Sequence, residues 1–539
     1  MQTLSDRSFI ESQFRSAISV SDLPDNTKFL QDAEMEIQGY ETEIGSLESA
    51  ILVLKQKKEE VERCMAVSTS LFAPVHRLPA EILQCIFDFA CAVTSYEDNW
   101  LLSSEERTLA VLTISATCGR WRNIALSTSS LWSGIGLDLD GDITSGRYRG
   151  LTSLVRLFLD RSNLSLLTVF LSFGETTIDD GAKPCLTELV QQSHRWQRLY
   201  LWNSTREVLT SDLFRPLREN LPNLIELDVT GYRRKGVAIE DLAPFHCDLF
   251  EYCPRISTLS FQPGTPLIAA HSLPWQQVRT LQLCRQVSFY AMPVLSLCHN
   301  VENLEVFSIG DVDGRPVYQG HQISPSIRRL SILEIVEEDE FSCIFRNTTL
   351  PQLSELQIVG EDECGIPSRE WKVWQEELVL DFLTRSSCSI TTLNLKCVPI
   401  SDAQLIRLLQ RIPSLKSLSL EEYRRSMEST HRIFTPSFFD ALLLDVQSSE
   451  SLFLPRLTDL RFVADVVDLD DQALSKAIIS RWNVKSPPTS NTDVHRIKII
   501  DIVLLEKENC IFNRLMDSLH WMSGEGARVT IAEREERRK

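Results

Sequence analysis

Residues 413–420 have the sequence PSLKSLSL, and this stretch decides the fold because versions of it recur along the carboxy-terminal part of the chain. Each version repeats the spacing of Leu415, Leu418 and Leu420, and only some begin with a proline. The ten units begin at residues 196, 224, 256, 278, 301, 327, 353, 390, 415 and 457. Because side chains alternate between the two faces of a strand, the ending Leu-x-Leu predicts a short β-strand in every unit.

The segments between the units supply helices. Residues 402–412 carry Leu405, Leu408 and Leu409 at helical spacing, and Pro413 ends the pattern. Most units are 22 to 32 residues apart, which resembles leucine-rich repeats, whose units bury their apolar faces by stacking. The resemblance implies an α/β leucine-rich-repeat-like solenoid, an irregular horseshoe, over residues 150–505. A C-terminal helix and charged tail are predicted at 506–539.

Residues between the repeated apolar positions point to the other face of the predicted sheet. A mixed polar and aromatic face suits protein recognition, so we predict that it binds a target protein. The predicted target-binding residues are Tyr200, Trp202, Asp228, Gln282, Glu305, Phe307, Asn394, Lys396 and Arg461. The alternative is that these are ordinary solvated strand positions.

Near the amino terminus, apolar residues fall into heptads, the pattern of a long helix with one apolar seam. One heptad position holds Leu30, Ile37, Ile44 and Ile51, and the other holds Tyr40, Leu47, Leu54 and Val61. We predict disorder over residues 1–28 and a heptad helix or coiled coil over 29–66. Two interpretations stay open: a homodimer through residues 30–61, or a helix that folds back on the chain's own apolar surface.

The next motif is LPAEILQCIFDFA at residues 78–90. Pro79 suits a first helical turn, since its missing N–H would be unpaired there, and Glu81 complements the helix dipole. The apolar residues of the motif then recur at helical spacing and form a broad stripe. They are Ile82, Leu83, Ile86, Phe87 and Ala90.

A polar insertion at 94–108 separates this helix from a second one, for which Ser103 and Glu106 form a capping-box pattern. The second helix carries Cys118-x-x-Trp121-Arg122, and Leu131-Trp132 follows. Three short helices in about sixty residues make a small all-α domain at 74–136, whose core is too small to be secure without a partner.

These three segments together resemble the F-box, and most closely the F-box-like proteins abundant in basidiomycete fungi. In that family the box binds the Skp-type adaptor of a cullin-RING ubiquitin ligase, and the resemblance implies the same activity here. The residues that the resemblance assigns to adaptor binding are Leu78, Pro79, Ile82, Leu83, Ile86, Phe87, Trp121 and Trp132. For the two tryptophans the alternative is that they fill the domain's own core.

Other classes of function find little support in the sequence. The formal charge of −19 opposes nucleic acids and anionic membranes, and no run of apolar residues is long enough to cross a bilayer. No zinc-ribbon spacing, Walker loop or nucleophile elbow occurs, so we predict a non-enzyme without metal or cofactor. The absence of a signal peptide predicts a cytoplasmic or nuclear protein with its cysteines as thiols.

The sequence therefore predicts a multidomain chain that acts as the substrate-recognition adaptor of a Skp-cullin-F-box ligase. The alternatives are a scaffold bound to the Skp-type adaptor alone, and a leucine-rich-repeat protein-binding module with no role in a ligase.

Overall fold

The computed structural model describes most of the chain. It covers residues 23–70, 72–91, 100–102, 110–139, 145–173, 178–202, 206–230, 247–261, 273–284, 288–307, 320–333, 335, 338–360, 371–422, 432–444, 452–466, 469–483, 494–505 and 509–533. The chain forms two compact units, Met1–Cys85 and Ile86–Lys539. Their boundary lies within one helix, so residues 86–136 of the predicted small domain belong to the same unit as the sheet described below.

The α-helices differ widely in length, from four to 48 residues. They are α1 (Leu23–Ser70), α2 (Ala80–Cys91), α3 (Ala110–Thr117), α4 (Gly119–Ser127), α5 (Ser145–Ser162), α6 (Lys183–Gln191), α7 (Arg206–Leu209), α8 (Ser288–Leu297), α9 (Glu338–Asn347), α10 (Glu376–Ser386), α11 (Asp402–Gln410), α12 (Pro436–Leu442), α13 (Asp471–Trp482), α14 (Asn509–Leu519) and α15 (Trp521–Gly524). Short 3₁₀ helices lie at Pro74–Arg77, Ser129–Trp132, Ser193–Arg195, Arg215–Glu219 and Trp275–Gln277.

Helix α1 is the long amino-terminal helix predicted from the heptads, but it begins earlier and ends later than residues 29–66. Residues 23–28, which we predicted to be disordered, form its first turns, and residues 1–22 lie outside the described part. Pro24 in the first turn costs the helix no hydrogen bond, which explains why the helix can begin before the heptads do.

The strands of the second unit are short. They are β1 (Trp100–Leu102), β2 (Gly134–Leu139), β3 (Leu167–Phe173), β4 (Trp196–Trp202), β5 (Glu226–Thr230), β6 (Thr258–Phe261), β7 (Thr280–Cys284), β8 (Asn303–Phe307), β9 (Gln322–Ile323), β10 (Arg329–Leu333), β11 (Thr348–Thr349), β12 (Glu355–Val359), β13 (Thr392–Lys396), β14 (Ser417–Glu421), β15 (Asp459–Ala464), β16 (Ile499–Leu504) and β17 (Arg528–Glu533).

Fifteen of these strands form one parallel sheet, in which they lie side by side in the order in which they occur along the chain. Only β9 and β11 are outside it, as a separate parallel pair. This sequential order is what an α/β repeat array produces, because every strand–helix unit adds to the end of the one before it. An α/β region with a large parallel sheet therefore follows the long helix, as predicted.

All ten repeated units contain a strand of this sheet, from β4 to β15. The sheet nevertheless extends beyond the predicted range of 150–505 at both ends. Strands β1 and β2 lie before residue 150, and β17 lies after residue 505, where only a helix and a charged tail were predicted. Strand β1 lies inside the stretch taken as a polar insertion, whereas Ser103 and Glu106 are outside the described residues. These strands lack the repeated leucine spacing, and only pairing with their neighbours identifies them.

The repeats are joined by a regular backbone ladder. The carbonyl oxygen of Lys416 accepts hydrogen bonds from the N–H groups of Thr458 and Asp459, at 2.8 and 3.0 Å. In every unit from Ile225 to Thr458, the corresponding carbonyl oxygen likewise accepts hydrogen bonds from two consecutive N–H groups of the next unit. Each of these carbonyl oxygens accepts with both of its lone pairs. The hydrogen-bonding capacity of these backbone carbonyl groups is therefore satisfied inside the array.

The leucines of the repeated pattern form the core. Leu415, Leu418 and Leu420 are fully buried, as are their counterparts in the neighbouring strands. Consecutive helices also contact one another from α9 through α14. Helix α11 begins where the sequence predicts, because Ser401 and Gln404 cap each other's backbone N–H groups in a capping box.

Candidate docking helix and second face of the sheet

Helix α2 contains half of the residues assigned to adaptor binding, and it exposes part of its apolar surface. Ile82 and Ile86 are each 47% exposed, and Pro79, just before the helix, is also exposed. Phe89 is 81% exposed, although the sequence did not single it out. Its spacing of three residues from Ile86 was the available signal, since residues three and four apart lie on one helix face.

The opposite side of α2 is buried, which corrects part of the predicted binding surface. Leu83 and Phe87 are 1% and 2% exposed, so they fill the protein's own core, and Leu78 is half-buried. The ring of Phe87 lies 4.9 Å from that of half-buried Trp121. Asp88 accepts a hydrogen bond of 3.0 Å from the Ser130 hydroxyl, which ties α2 to the 3₁₀ helix at Ser129–Trp132.

Trp132 is fully buried, so it cannot be a direct anchor for a partner in this conformation. Its indole N–H donates to the carbonyl oxygen of Ala125 at 2.8 Å, and its ring meets Phe158 of α5 edge-on at 5.2 Å. The Arg161 guanidinium lies 4.5 Å from the ring centre. Trp132 therefore joins the helices of the motif to the sheet region, which is the core-filling alternative foreseen for it.

Helix α4 begins at Cys118, whose extended backbone and side chain form its N-cap. The Cys118 sulfur accepts from the backbone N–H of Trp121 at 3.5 Å. A side chain that accepts from the first turn satisfies one of the unpaired donors of a helix start. The cysteine of the Cys118-x-x-Trp121 motif therefore caps the amino-terminal end of helix α4.

The predicted target-binding residues lie on the face of the sheet opposite the buried leucines, here called the second face. Strand pairing aligns one residue of each strand into a continuous row across the sheet. From β3 to β17 this central row is Phe170, Tyr200, Asp228, Ser260, Gln282, Glu305, Ser331, Gln357, Asn394, Ser419, Arg461, Asp501 and Thr530. Trp202, Phe307 and Lys396 lie two residues further along their strands.

The residues of this face differ in how far they reach solvent. Arg461 is exposed, and Tyr200, Trp202, Gln282, Glu305, Phe307, Asn394 and Lys396 are half-buried. Asp228 is only 2% exposed, so its prediction as a solvent-facing contact residue is wrong. It lies between Tyr200 and Ser260 in the central row, and Ser260 is equally buried.

Aromatic and acidic groups meet at the β3–β5 end of this face. The rings of Phe170 and Tyr200 are stacked with centres 4.3 Å apart. The Tyr200 hydroxyl donates to Glu226 at 2.8 Å, and Arg198 lies 3.3 Å from the same carboxylate. Burial, together with the Glu226 carboxylate, raises the pKa of the Tyr200 phenol, so its hydroxyl stays protonated and keeps donating.

The rest of the face is crossed by pairs that join neighbouring strands. Gln282 donates to Glu305 at 2.8 Å and Arg329 donates to Glu355 at 2.5 Å. The Lys396–Glu421 and Arg461–Asp501 pairs are 3.9 and 3.5 Å apart. Each of these groups is therefore paired with another group of the protein.

No group of three or more His, Cys, Asp or Glu side chains among the described residues is arranged to hold a metal ion. No disulfide bond joins the cysteines of this part of the chain. None of its helices combines the length and apolar composition needed to cross a membrane. A scan of protein-family models finds none that matches the chain, and a search of curated proteins finds no match either.

Proposed function

We propose that the protein is a non-catalytic adaptor of a Skp-cullin-F-box ubiquitin ligase, which docks the Skp-type adaptor through helix α2 and holds a target protein on the second face of its sheet. The observation that carries the proposal is the exposed apolar face of α2. Ile82, Ile86 and Phe89 are exposed on a helix that begins at Ala80, directly after Leu78 and Pro79 of the motif.

An exposed row of this kind favours docking for an energetic reason. Aromatic and aliphatic side chains that lose water at the centre of an interface contribute most of its binding energy. The buried side of the same helix, Leu83 and Phe87, holds α2 in place, so the exposed side is preorganised for a partner.

We further propose that the parallel sheet and its helices form a leucine-rich-repeat array. The support is the ten leucine-spaced units, the sequential strand order and the double-accepting backbone ladder. In such arrays the strand face opposite the core is a common surface for protein recognition. Here that face carries Tyr200, Trp202 and Phe307 among charged pairs, a mixture suited to a protein target.

In this role the protein contributes to catalysis only by positioning, since it holds the target near a ubiquitin-charged enzyme supplied by other subunits. The cytosol or nucleus would be its place of action. The two alternatives differ in partners: a scaffold would bind the Skp-type adaptor without cullin, and a simple protein-binding module would bind neither.

Affinity purification of the tagged full chain distinguishes the three possible functions: ligase adaptor, scaffold and protein-binding module. Recovery of both Skp-type adaptor and cullin supports the ligase role, and recovery of the adaptor alone supports the scaffold. A matched variant with Leu78→Ala and Pro79→Ala is expected to lose both partners while it keeps its thermal unfolding midpoint. Equal recovery by wild type and variant would contradict the location of the docking surface.

A further inference from the structure

Helix α1 leaves its heptad seam uncovered. The eight heptad residues are each 50–64% exposed. They are Leu30, Ile37, Tyr40, Ile44, Leu47, Ile51, Leu54 and Val61. At 1.5 Å per residue the seam runs for about 46 Å, and an apolar row of this length and period is the surface that packs against another helix.

The charges of α1 are divided between its two halves. Residues 30–50 carry six acidic side chains and no basic one, whereas residues 51–70 carry four basic and three acidic ones. A parallel pair of these helices would bring the acidic half against itself. An antiparallel pair brings it against the basic half, so charge complementarity selects a second copy of the same helix in the opposite direction.

We infer that α1 pairs with α1 of a second copy as an antiparallel coiled coil centred on Ser49. In this register each residue at one heptad position of the seam packs against a residue at the other heptad position in the second copy. Ile37 faces Val61, Ile44 faces Leu54, and Leu47 faces Ile51 of the second copy. The seam is therefore apolar through its central layers, as a coiled-coil core requires.

The same register pairs the flanking charges. Glu43 lies beside Lys57 of the second copy, and Glu41 lies beside Lys55, with each pair formed twice because of the two-fold symmetry. Lys58, which occupies a seam position, meets the Tyr40 ring instead of another Lys58. Three like-charge contacts remain: Glu34 with Glu62, which forms twice, and Glu48 with its own copy.

A parallel pair would carry more like-charge contacts and fewer attractive ones. Glu36 would flank Glu41, and Glu43 would flank Glu48, each twice. Lys58 would face Lys58 inside the seam. Lys57 with Glu62 would be the one attractive flanking pair among these, so like-charge repulsion opposes this arrangement.

Zero-length carbodiimide cross-linking of the full-length protein tests the orientation directly. Glu43 and Lys57 are fourteen positions apart on one helix, about 21 Å, so an amide bond between their side chains requires two copies. We expect the Glu43–Lys57 linked peptide in the dimer band, with Glu41–Lys55 as a second product. A dimer band that lacks both products would overturn the antiparallel register.

Charge-reversal variants test the same inference by sedimentation equilibrium. Glu41→Lys with Glu43→Lys puts lysine against lysine in the antiparallel dimer, so self-association should weaken on the order of tenfold. Adding Lys55→Glu and Lys57→Glu should restore it.

Parallel helices give the opposite result, since the new lysines would then lie beside Glu36 and Glu48 and strengthen the dimer. As a matched control, Glu59→Lys with Glu60→Lys changes the charge equally on the outer side of the helix and should leave the dimer unchanged. A wild-type protein that stays monomeric up to its solubility limit, or a dimer strengthened by the first reversal, would overturn the inference.

Discussion

Phe89 offers the sharpest test of the proposed docking helix, because it is the most exposed apolar side chain of α2. Full burial of a phenylalanine is worth about 1.5–3 kcal/mol, and 81% of this side chain is still open to solvent. If it is buried against a Skp-type adaptor, Phe89→Ala should weaken binding by about 2 kcal/mol, which is roughly 30-fold in Kd. Ile86 is 47% exposed, so Ile86→Ala should cost about 1 kcal/mol, or roughly fivefold.

Isothermal titration calorimetry of the full-length variants with a purified Skp-type adaptor measures both effects. Because Phe89 and Ile86 are exposed, the thermal unfolding midpoint should stay within a degree or two of wild type, on the order expected for surface substitutions. Gln84→Ala, an exposed change in the same helix, is the matched control and should bind normally. Normal binding by a double Phe89→Ala and Ile86→Ala variant would refute the assignment of docking to this face.

Three further predictions concern the fold itself. Trp132→Ala should lower the free energy of unfolding by about 3–5 kcal/mol in chemical denaturation, because the indole is fully buried. Arg481→Met should cost about 3 kcal/mol or more, measured the same way, because the buried guanidinium donates to three backbone carbonyl oxygens that would lose their partners. Burial raises the pKa of both Cys253 and Cys298 to about 12, so at pH 8 iodoacetamide should modify the exposed Cys64 and leave these two unmodified, as read by mass spectrometry.

The motif at residues 78–90 shows how much of the structure the local sequence pattern can predict. The apolar spacing predicts the helix, and α2 lies within those bounds plus one residue. The apolar stripe covers more than half of the helix circumference, however, so periodicity could not decide which part of it faces inward. Packing decided it: Leu83 and Phe87 are buried, while Ile86 and Phe89 are exposed. Three of the eight predicted docking residues, Leu83, Phe87 and Trp132, therefore belong to the core.

What the sequence by itself determined is the position of the ten leucine-spaced strands and the row that they form. The alternation of side chains along a strand and the spacing of the repeated leucines are local properties, and the same pattern is present in every unit. Only the tertiary structure decided that Asp228 is buried, that Trp132 joins two parts of the core, and that β1, β2 and β17 extend the sheet. Burial and edge pairing depend on which neighbours cover a residue, and those neighbours lie tens of residues away along the chain.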